Sequence, residues 1–123
     1  MARSKQPEIQ WLETVEAHDY PAAESYLQLL FDEPRVADLL ARLQVAPIVD
    51  FKAKDIFRAS QLSLLGISNS HVDRDQKKIR KGTPLSPLLL VRDQGRVVIA
   101  DGYHRLCAIY RFDEDALIRC KIV

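Results

Sequence analysis

The hydrophobic residues of positions 1–46 recur at the spacing of an α-helix. Asp19 and Asp32, each followed closely by a proline, are typical of helix starts. Helices this short are stable only when they pack on other elements. We therefore expect an N-terminal helical segment over 1–46 that packs on the rest of the chain or forms a homodimer interface, with no chemistry of its own. The predicted helices are Glu8 to about His18, Ala22 to Phe31, and a third that starts at Pro34.

From residue 47 onward, short apolar runs alternate with polar segments and predict an α+β domain over 47–123. Asp93-Gln94-Gly95 is a hairpin turn between two predicted strands. Residues 52–60 fit either a helix or a strand and turn. Ser70 is the predicted cap of a helix over 71–81, which we expect to be mostly exposed because it has few apolar residues. The predicted strands are 47–51, 88–91, 97–100 and 117–123, and a last helix follows Gly102.

The stretch 96–110 changes from a strand pattern to a helix pattern at Asp101-Gly102. The first amide groups of a helix lack partners within the helix and favour anions. Gly102 has no Cβ to keep a ligand from the backbone, and His104 and Arg105 add an imidazole and a guanidinium, which matches phosphate oxygens. The junction therefore suits a phosphate. The same residues also fit an ordinary helix start, capped by Asp101 and solvated at His104 and Arg105.

The junction also resembles a known family. Residues 99–108, Ile-Ala-Asp-Gly-Tyr-His-Arg-Leu-Cys-Ala, are similar to the "DG-x-HR-x-x-A" signature of the ParB/sulfiredoxin superfamily. Residues 83–91 resemble the "G-x-x-x-x-P-(I/L)-x-V" strand of the same superfamily. The resemblance covers residues 47–123 and implies a small mixed sheet with flanking helices, preceded by the helical segment 1–46.

The resemblance implies that ATP, ADP or CTP binds at the junction, with or without Mg²⁺. In the family, the polar helix before the second strand faces the glycine turn and contacts nucleotide phosphates. The implied binding residues are Gly102, Tyr103, His104, Arg105, His71, Arg74 and Lys78, and the implied catalytic residues are Asp101 and His104. Without the resemblance, the polar helix is a solvated surface with internal ion pairs such as Asp73–Lys77.

Two further carboxylates and one tyrosine bear on the reactions that this site could catalyse. Nucleotide-binding relatives place an acidic residue after the first strand, so Asp50 and Asp55 are candidate bases, although each also fits a solvated carboxylate or a cap. Tyr103 stands where sulfiredoxins have their catalytic cysteine. A phenol with a pKa of about 10 does not replace a thiolate. The sequence therefore excludes sulfiredoxin chemistry at this position.

Composition and charge limit the classes of binding partner that we expect for this chain. The net charge is +1, but residues 1–50 hold 4 of the 18 Lys and Arg residues and 9 of the 17 Asp and Glu residues. A basic second part favours an anionic partner. We expect a small phosphate-bearing molecule rather than DNA, because dedicated DNA-binding domains are more basic and no helix-turn-helix pattern follows the last strand.

The remaining composition indicates a cytoplasmic protein. The N-terminus lacks the apolar core of a signal peptide, and no apolar run reaches the roughly 18 residues of a membrane span. Cys107 and Cys120 fall on buried faces of predicted elements, which is typical of buried free thiols, and no metal-ligand spacing is present.

Three functions remain open at the level of sequence. The first is a nucleotide-binding domain that transfers a phosphoryl group or hydrolyses the nucleotide. The alternative is a non-catalytic, nucleotide-switched module of the partition-protein type that binds DNA or protein. The third is a domain that interacts with other proteins through its leucine-striped helices.

Overall fold

The computed structural model of the protein describes residues 7–66 and 69–123. Five helices and four strands lie within these ranges, so the α+β class predicted from sequence is confirmed. Helices α1 and α2 precede the first strand, as expected for the N-terminal segment. The elements are α1 (Asp19–Leu27), α2 (Glu33–Val45), β1 (Val49–Lys52), α3 (Ala53–Ser60), α4 (Ser70–Arg80), β2 (Leu88–Asp93), β3 (Arg96–Asp101), α5 (Tyr103–Phe112) and β4 (Leu117–Ile122).

The four strands form one mixed sheet in the order β1-β4-β2-β3. β4 pairs antiparallel with β1 and parallel with β2, and β2 pairs antiparallel with β3. The β2–β3 hairpin turns at Gln94 and Gly95, whose φ angles are 49° and 80°. Positive φ at both positions is what a tight two-residue hairpin requires. The expected small mixed sheet with flanking helices is therefore present.

Helices cover both faces of the sheet. Leu88 and Leu90 of β2 pack in one cluster with residues of α3, α4 and α5. Leu89 and Val91 point to the other face and pack with residues of α1 and α2. This alternation is the two-residue period of a strand with an apolar layer on each side. Among the described residues, no helix combines the length and the apolar composition that a membrane crossing requires.

The predicted helix over 8–18 is wrong. Trp11 forms a parallel bridge with Leu85, and the Leu12 N–H donates a hydrogen bond of 2.9 Å to the Leu85 carbonyl. The Leu85 N–H in turn donates to Gln10 at 2.8 Å. The backbone of this segment is therefore paired with a distant residue instead of with itself. The next helix is Asp19–Leu27 rather than 22–31.

Helix α4 differs from its prediction in two ways. Its N-cap is Asn69 rather than Ser70. The Asn69 Oδ1 accepts hydrogen bonds from the His71 and Val72 N–H groups at 3.0 and 3.3 Å. Most residues of the helix are exposed, as expected, but the polar residues Asp75 and Gln76 are buried where α4 packs against α5, with Gln76 donating to the Ala108 carbonyl at 3.3 Å. Its buried residues are Val72, Asp75, Gln76 and Ile79. Residues 53–60, which the sequence left open, form helix α3.

Both cysteines are buried and free, as predicted. Burial raises the pKa of Cys107 above 9.0 and raises the pKa of Cys120 to about 12. Because the thiolate is the reactive form, we expect neither thiol to react with an aromatic disulfide reagent at neutral pH in the folded protein. Both should react once denaturant is added. Rapid labelling of either cysteine in the folded protein would contradict this expectation.

Candidate functional site

A polar cavity of about 280 Å³ lies where β3 ends and the chain turns at Gly102 into α5. The N-terminal segment, α4, the residues before β2 and the β3–α5 junction each contribute to its wall. All of the binding and catalytic residues implied by the resemblance line this cavity except His71. The lining residues are Glu16, His18, Arg74, Asp75, Lys78, Pro84, Leu85, Ser86, Asp101, Gly102, Tyr103, His104 and Arg105.

The amino end of α5 meets the cavity without a capping side chain. Gly102 is the N-cap residue and supplies no side-chain hydrogen bond. The Leu106 N–H donates to the Gly102 carbonyl at 2.9 Å, so the amides of residues 103–105 precede the hydrogen-bond ladder of the helix. The helix dipole adds positive potential at this end. This part of the cavity therefore favours a negatively charged group.

The packing of the protein itself, rather than access for a ligand, requires glycine at position 102. A Cβ there would lie 2.5 Å from the Leu88 Cγ and 3.0 Å from the Arg105 Nη2. The residue also has a φ of 109°, which L-residues rarely adopt. The sequence interpretation, in which the missing Cβ leaves room for a ligand, is wrong because Leu88 occupies that space.

Arg105 is held by two carboxylates. Its Nη2 lies 3.1 Å from the Asp101 Oδ2 and 3.5 Å from the Asp19 Oδ2. The side chains of Arg105 and Asp101 are each 18% exposed, and that of Asp19 is 5% exposed. Within the described residues, the Arg105 Nε is buried and has no hydrogen-bond partner. Arg105 thus links α1 to the β3–α5 junction through one guanidinium nitrogen. Contact between Arg105 and a phosphate stays a prediction.

The environment of Asp101 favours its protonated form. Burial raises the pKa of Asp101 above 3.8, and the neighbouring Asp19 carboxylate acts in the same direction, while Arg105 lowers the pKa. The hydrogen bond to Arg105 fixes the orientation of the Asp101 carboxyl group. Asp101 is therefore an oriented carboxyl group at the cavity wall, as a catalytic acid, base or metal ligand would need to be.

The environment of His104, at the same junction, favours the neutral form of its imidazole. Burial lowers its pKa below 6.5, and the neighbouring His71 acts in the same direction. The ring centroid of His104 lies 4.8 Å from that of His71 and 5.7 Å from that of Tyr103. His71 does not line the cavity, and its Nδ1 lies 3.2 Å from the Arg74 Nη2. A neutral His104 can accept a proton from a bound molecule.

Helix α4 supplies exposed positive charge. Arg74 and Lys78 lie four residues apart on one face of α4, and both are exposed and line the cavity. Neither forms an ion pair with a carboxylate among the residues that the structure describes. Lys77, in contrast, pairs with Asp73 at 3.1 Å, as the sequence suggested. Arg74 and Lys78 are therefore available to an anion in the cavity.

The two candidate bases do not lie at this site. Asp50 lies 3.7 Å from Arg119, and Asp55 lies 3.7 Å from Arg58. Neither carboxylate lines the cavity. The interpretation of Asp50 or Asp55 as the base of this site is therefore wrong, because β1 and α3 place both residues away from the β3–α5 junction.

The N-terminal segment contributes polar residues that sequence reasoning missed. Glu16 and His18 line the cavity, and Asp19 holds Arg105. The His18 Nε2 lies 3.3 Å from Asp19, and its Nδ1 lies 3.6 Å from Glu16. The expectation that residues 1–46 carry no chemistry stays a prediction, but the segment places polar side chains in the cavity wall. The available signal was the close spacing of these three ionisable residues before a helix start.

Comparisons with known protein families, with curated proteins and with solved structures find no match to this chain. The resemblance to the ParB/sulfiredoxin superfamily stays a prediction. In the described part of the chain, His, Cys, Asp and Glu side chains form no group of three or more that could hold a metal ion.

Proposed function

We propose that the cavity binds the phosphate group of a small molecule, with a nucleotide such as ATP, ADP or CTP as the leading candidate. One observation carries this proposal: the uncapped amino end of α5 meets the exposed side chains of Arg74 and Lys78 in one polar cavity. Amides at a helix start and flexible cations are the groups that proteins use to hold phosphate oxygens. The two sources of positive charge come from different helices, so a phosphate would bridge α4 and α5.

The size of the cavity limits which part of a nucleotide it would hold. Pockets that enclose drug-sized ligands measure roughly 300–1,000 Å³, and this cavity measures about 280 Å³. It would therefore enclose the phosphate groups, with the sugar and base at the opening. A smaller phosphorylated molecule would fit inside entirely.

Phosphoryl transfer or nucleotide hydrolysis is the reaction that we propose for this site. Such reactions depend mainly on positioning and on charge neutralisation. Arg74 and Lys78 would neutralise phosphate charge, and the neutral His104 would accept a proton from the attacking hydroxyl or water. If Mg²⁺ accompanies the phosphates, Asp101 is the oriented carboxylate that would contact it, because Mg²⁺ commonly uses one or two carboxylates together with substrate phosphates.

Calorimetric titration tests the phosphate site. We expect ATP, ADP, CTP or inorganic phosphate to bind, and Arg74→Ala and Lys78→Ala each to weaken binding about tenfold, because each removes a charge-assisted hydrogen bond. Lys77→Ala is the matched control, since it removes the same charge from the same helix outside the cavity. Absence of binding, or equal losses in all three variants, would show the assignment to be wrong.

A further inference from the structure

Asp75 is a largely buried residue whose carboxylate faces the cavity and has no hydrogen-bond or ion-pair partner among the described residues. The residue is 5% exposed and belongs to the cavity lining. Among residues 7–66 and 69–123, its carboxylate oxygens form no hydrogen bond and no ion pair. Its neighbour Asp73 is different, because the Asp73 side chain is 42% exposed and pairs with Lys77 at 3.1 Å. In the described residues, the Arg105 Nε is the buried side-chain atom that lacks a partner, and the Asp75 oxygens are not in that class because they reach the cavity that the residue lines. A carboxylate that the fold holds in a cavity wall in this way is placed to accept a hydrogen bond from a ligand.

The charges around Asp75 show what kind of ligand would fit. Asp75 acts on His104 through its charge and raises the pKa of that imidazole, but the two side chains form no hydrogen bond in the described structure. The cationic lining residues are balanced in number by acidic ones, and Arg105 is further neutralised by Asp19. A purely anionic ligand would therefore leave Asp75 unpaired and repelled. The acidic lining residues are Glu16, Asp75 and Asp101, and the cationic ones are Arg74, Lys78 and Arg105.

The spacing on α4 places the acceptor close to the phosphate-binding cations. Asp75 follows Arg74 directly, and Lys78 is three residues further on, which is a neighbouring position on a helix surface. Side chains at such positions have Cβ atoms roughly 5–6 Å apart. A ligand that contacts Lys78 through its phosphate would therefore reach Asp75 with a group only a few bonds away.

We infer that Asp75 accepts a hydrogen bond from a hydroxyl or ammonium group of the same ligand whose phosphate lies at the amino end of α5. The ligand class is then a phosphate ester that carries an O–H or N–H donor near its phosphate. This inference rests on the proposed phosphate site and adds to it the acceptor that selects among phosphate compounds. Sites that pair a buried acceptor with a ligand donor discriminate strongly against analogues without the donor, because the acceptor is then left unsatisfied.

Three phosphate esters of similar size test this selection. Ethyl phosphate lacks a donor outside its phosphate, glycerol phosphate carries hydroxyl donors, and phosphoethanolamine carries an ammonium group. We expect the parent protein to bind at least one of the two donor-bearing esters about tenfold more tightly than ethyl phosphate. The ester with the higher affinity identifies the donor as hydroxyl or ammonium.

Two substitutions attribute the selection to Asp75. Asp75→Leu removes the charge and the acceptor at similar volume, so the preference should disappear while ethyl phosphate binds at least as well as before. Asp75→Asn keeps the shape and removes the charge, so the preference should fall. Asp73→Asn is the matched control on the same helix and should keep the full preference.

The outcomes distinguish failure of the role proposed for Asp75 from failure of the phosphate site itself. Equal affinity of the parent for all three esters would overturn the role of Asp75 and leave the phosphate site standing. Failure of all three esters and of inorganic phosphate to bind would overturn both. A preference that survives in Asp75→Asn and Asp75→Leu would also overturn the role of Asp75; if the leucine variant does not fold, the asparagine variant decides.

Discussion

Gly102→Ala is expected to lower the free energy of unfolding by about 2–6 kcal/mol, since overpacking costs about 1–3 kcal/mol and a strained φ about 1–3 kcal/mol. The added Cβ would lie 2.5 Å from the Leu88 Cγ, and Leu88 is fully buried between the sheet and the helices, so it has little room to move. A loss of this size is a large fraction of the roughly 5–15 kcal/mol that stabilises a typical domain. Urea unfolding followed by circular dichroism measures it.

Two other glycines provide the control. Gly82 and Gly95 also have positive φ, at 76° and 80°, but a Cβ at either position would meet nothing within 4 Å. Alanine at these positions should therefore cost only the backbone strain, about 1–2 kcal/mol. If all three alanine variants lost the same stability, the close contact with Leu88 would not explain the glycine at the junction.

Arg105→Ala is expected to lower the free energy of unfolding by about 3–5 kcal/mol near neutral pH, because removal of one member of a buried ion pair leaves its partners uncompensated. Here two buried carboxylates, Asp19 and Asp101, would face each other without the guanidinium between them. The substitution also removes the group that lowers the pKa of Asp101, so that pKa should rise further above 3.8.

The pH dependence of this variant follows from the direction of that shift. A carboxyl group whose pKa is raised on folding binds its proton more tightly in the folded state, so stability is highest at low pH and falls as pH rises from about 4 through the raised pKa. The loss relative to the parent should therefore be smaller near pH 4 than near pH 7. An equal loss at both pH values would contradict the assignment of the effect to Asp19 and Asp101.

Arg35→Ala is the control for this experiment. Arg35 pairs with Asp93 at 3.3 Å, and the Arg35 side chain is 52% exposed. Exposed ion pairs contribute roughly 0–1 kcal/mol, so this variant should lose little stability at either pH. The additional substitution Asp19→Asn should restore part of the stability of Arg105→Ala, because it removes one of the two facing carboxylates.

Local patterns were sufficient to predict several elements. The helical spacing of hydrophobic residues after Pro34 predicted α2, and its residues Val36, Leu39 and Leu43 are buried against the sheet. The hairpin turn at 93–95 and the change of pattern at Gly102 were also correct, because glycine readily adopts the positive φ that both turns have. The helix predicted over 8–18 was wrong because its backbone pairs with Leu85, and no local pattern encodes a partner that distant in sequence.

The residues of the cavity also fall into those that the sequence predicted and those that depend on tertiary packing. The resemblance to the ParB/sulfiredoxin superfamily implied Arg74 and Lys78 as binding residues, and the structure places both in the wall of the cavity beside the junction. The pairing of Arg105 with Asp19 and the burial of Asp75 depend on how α1 and α4 pack against α5. Sequence reasoning therefore identified the cationic residues of the cavity and Asp101, and missed Glu16 and Asp75, whose positions in the wall tertiary packing determines.

Titration of the ¹⁵N-labelled protein with inorganic phosphate, followed through its backbone amide resonances, tests the phosphate site most directly. The amides of Tyr103, His104 and Arg105 should shift with a saturating dependence on phosphate concentration, and the same shifts should require more phosphate in Lys78→Ala than in Lys77→Ala. If these three amides do not move, or move no more than amides remote from the cavity, phosphate does not bind at the amino end of α5.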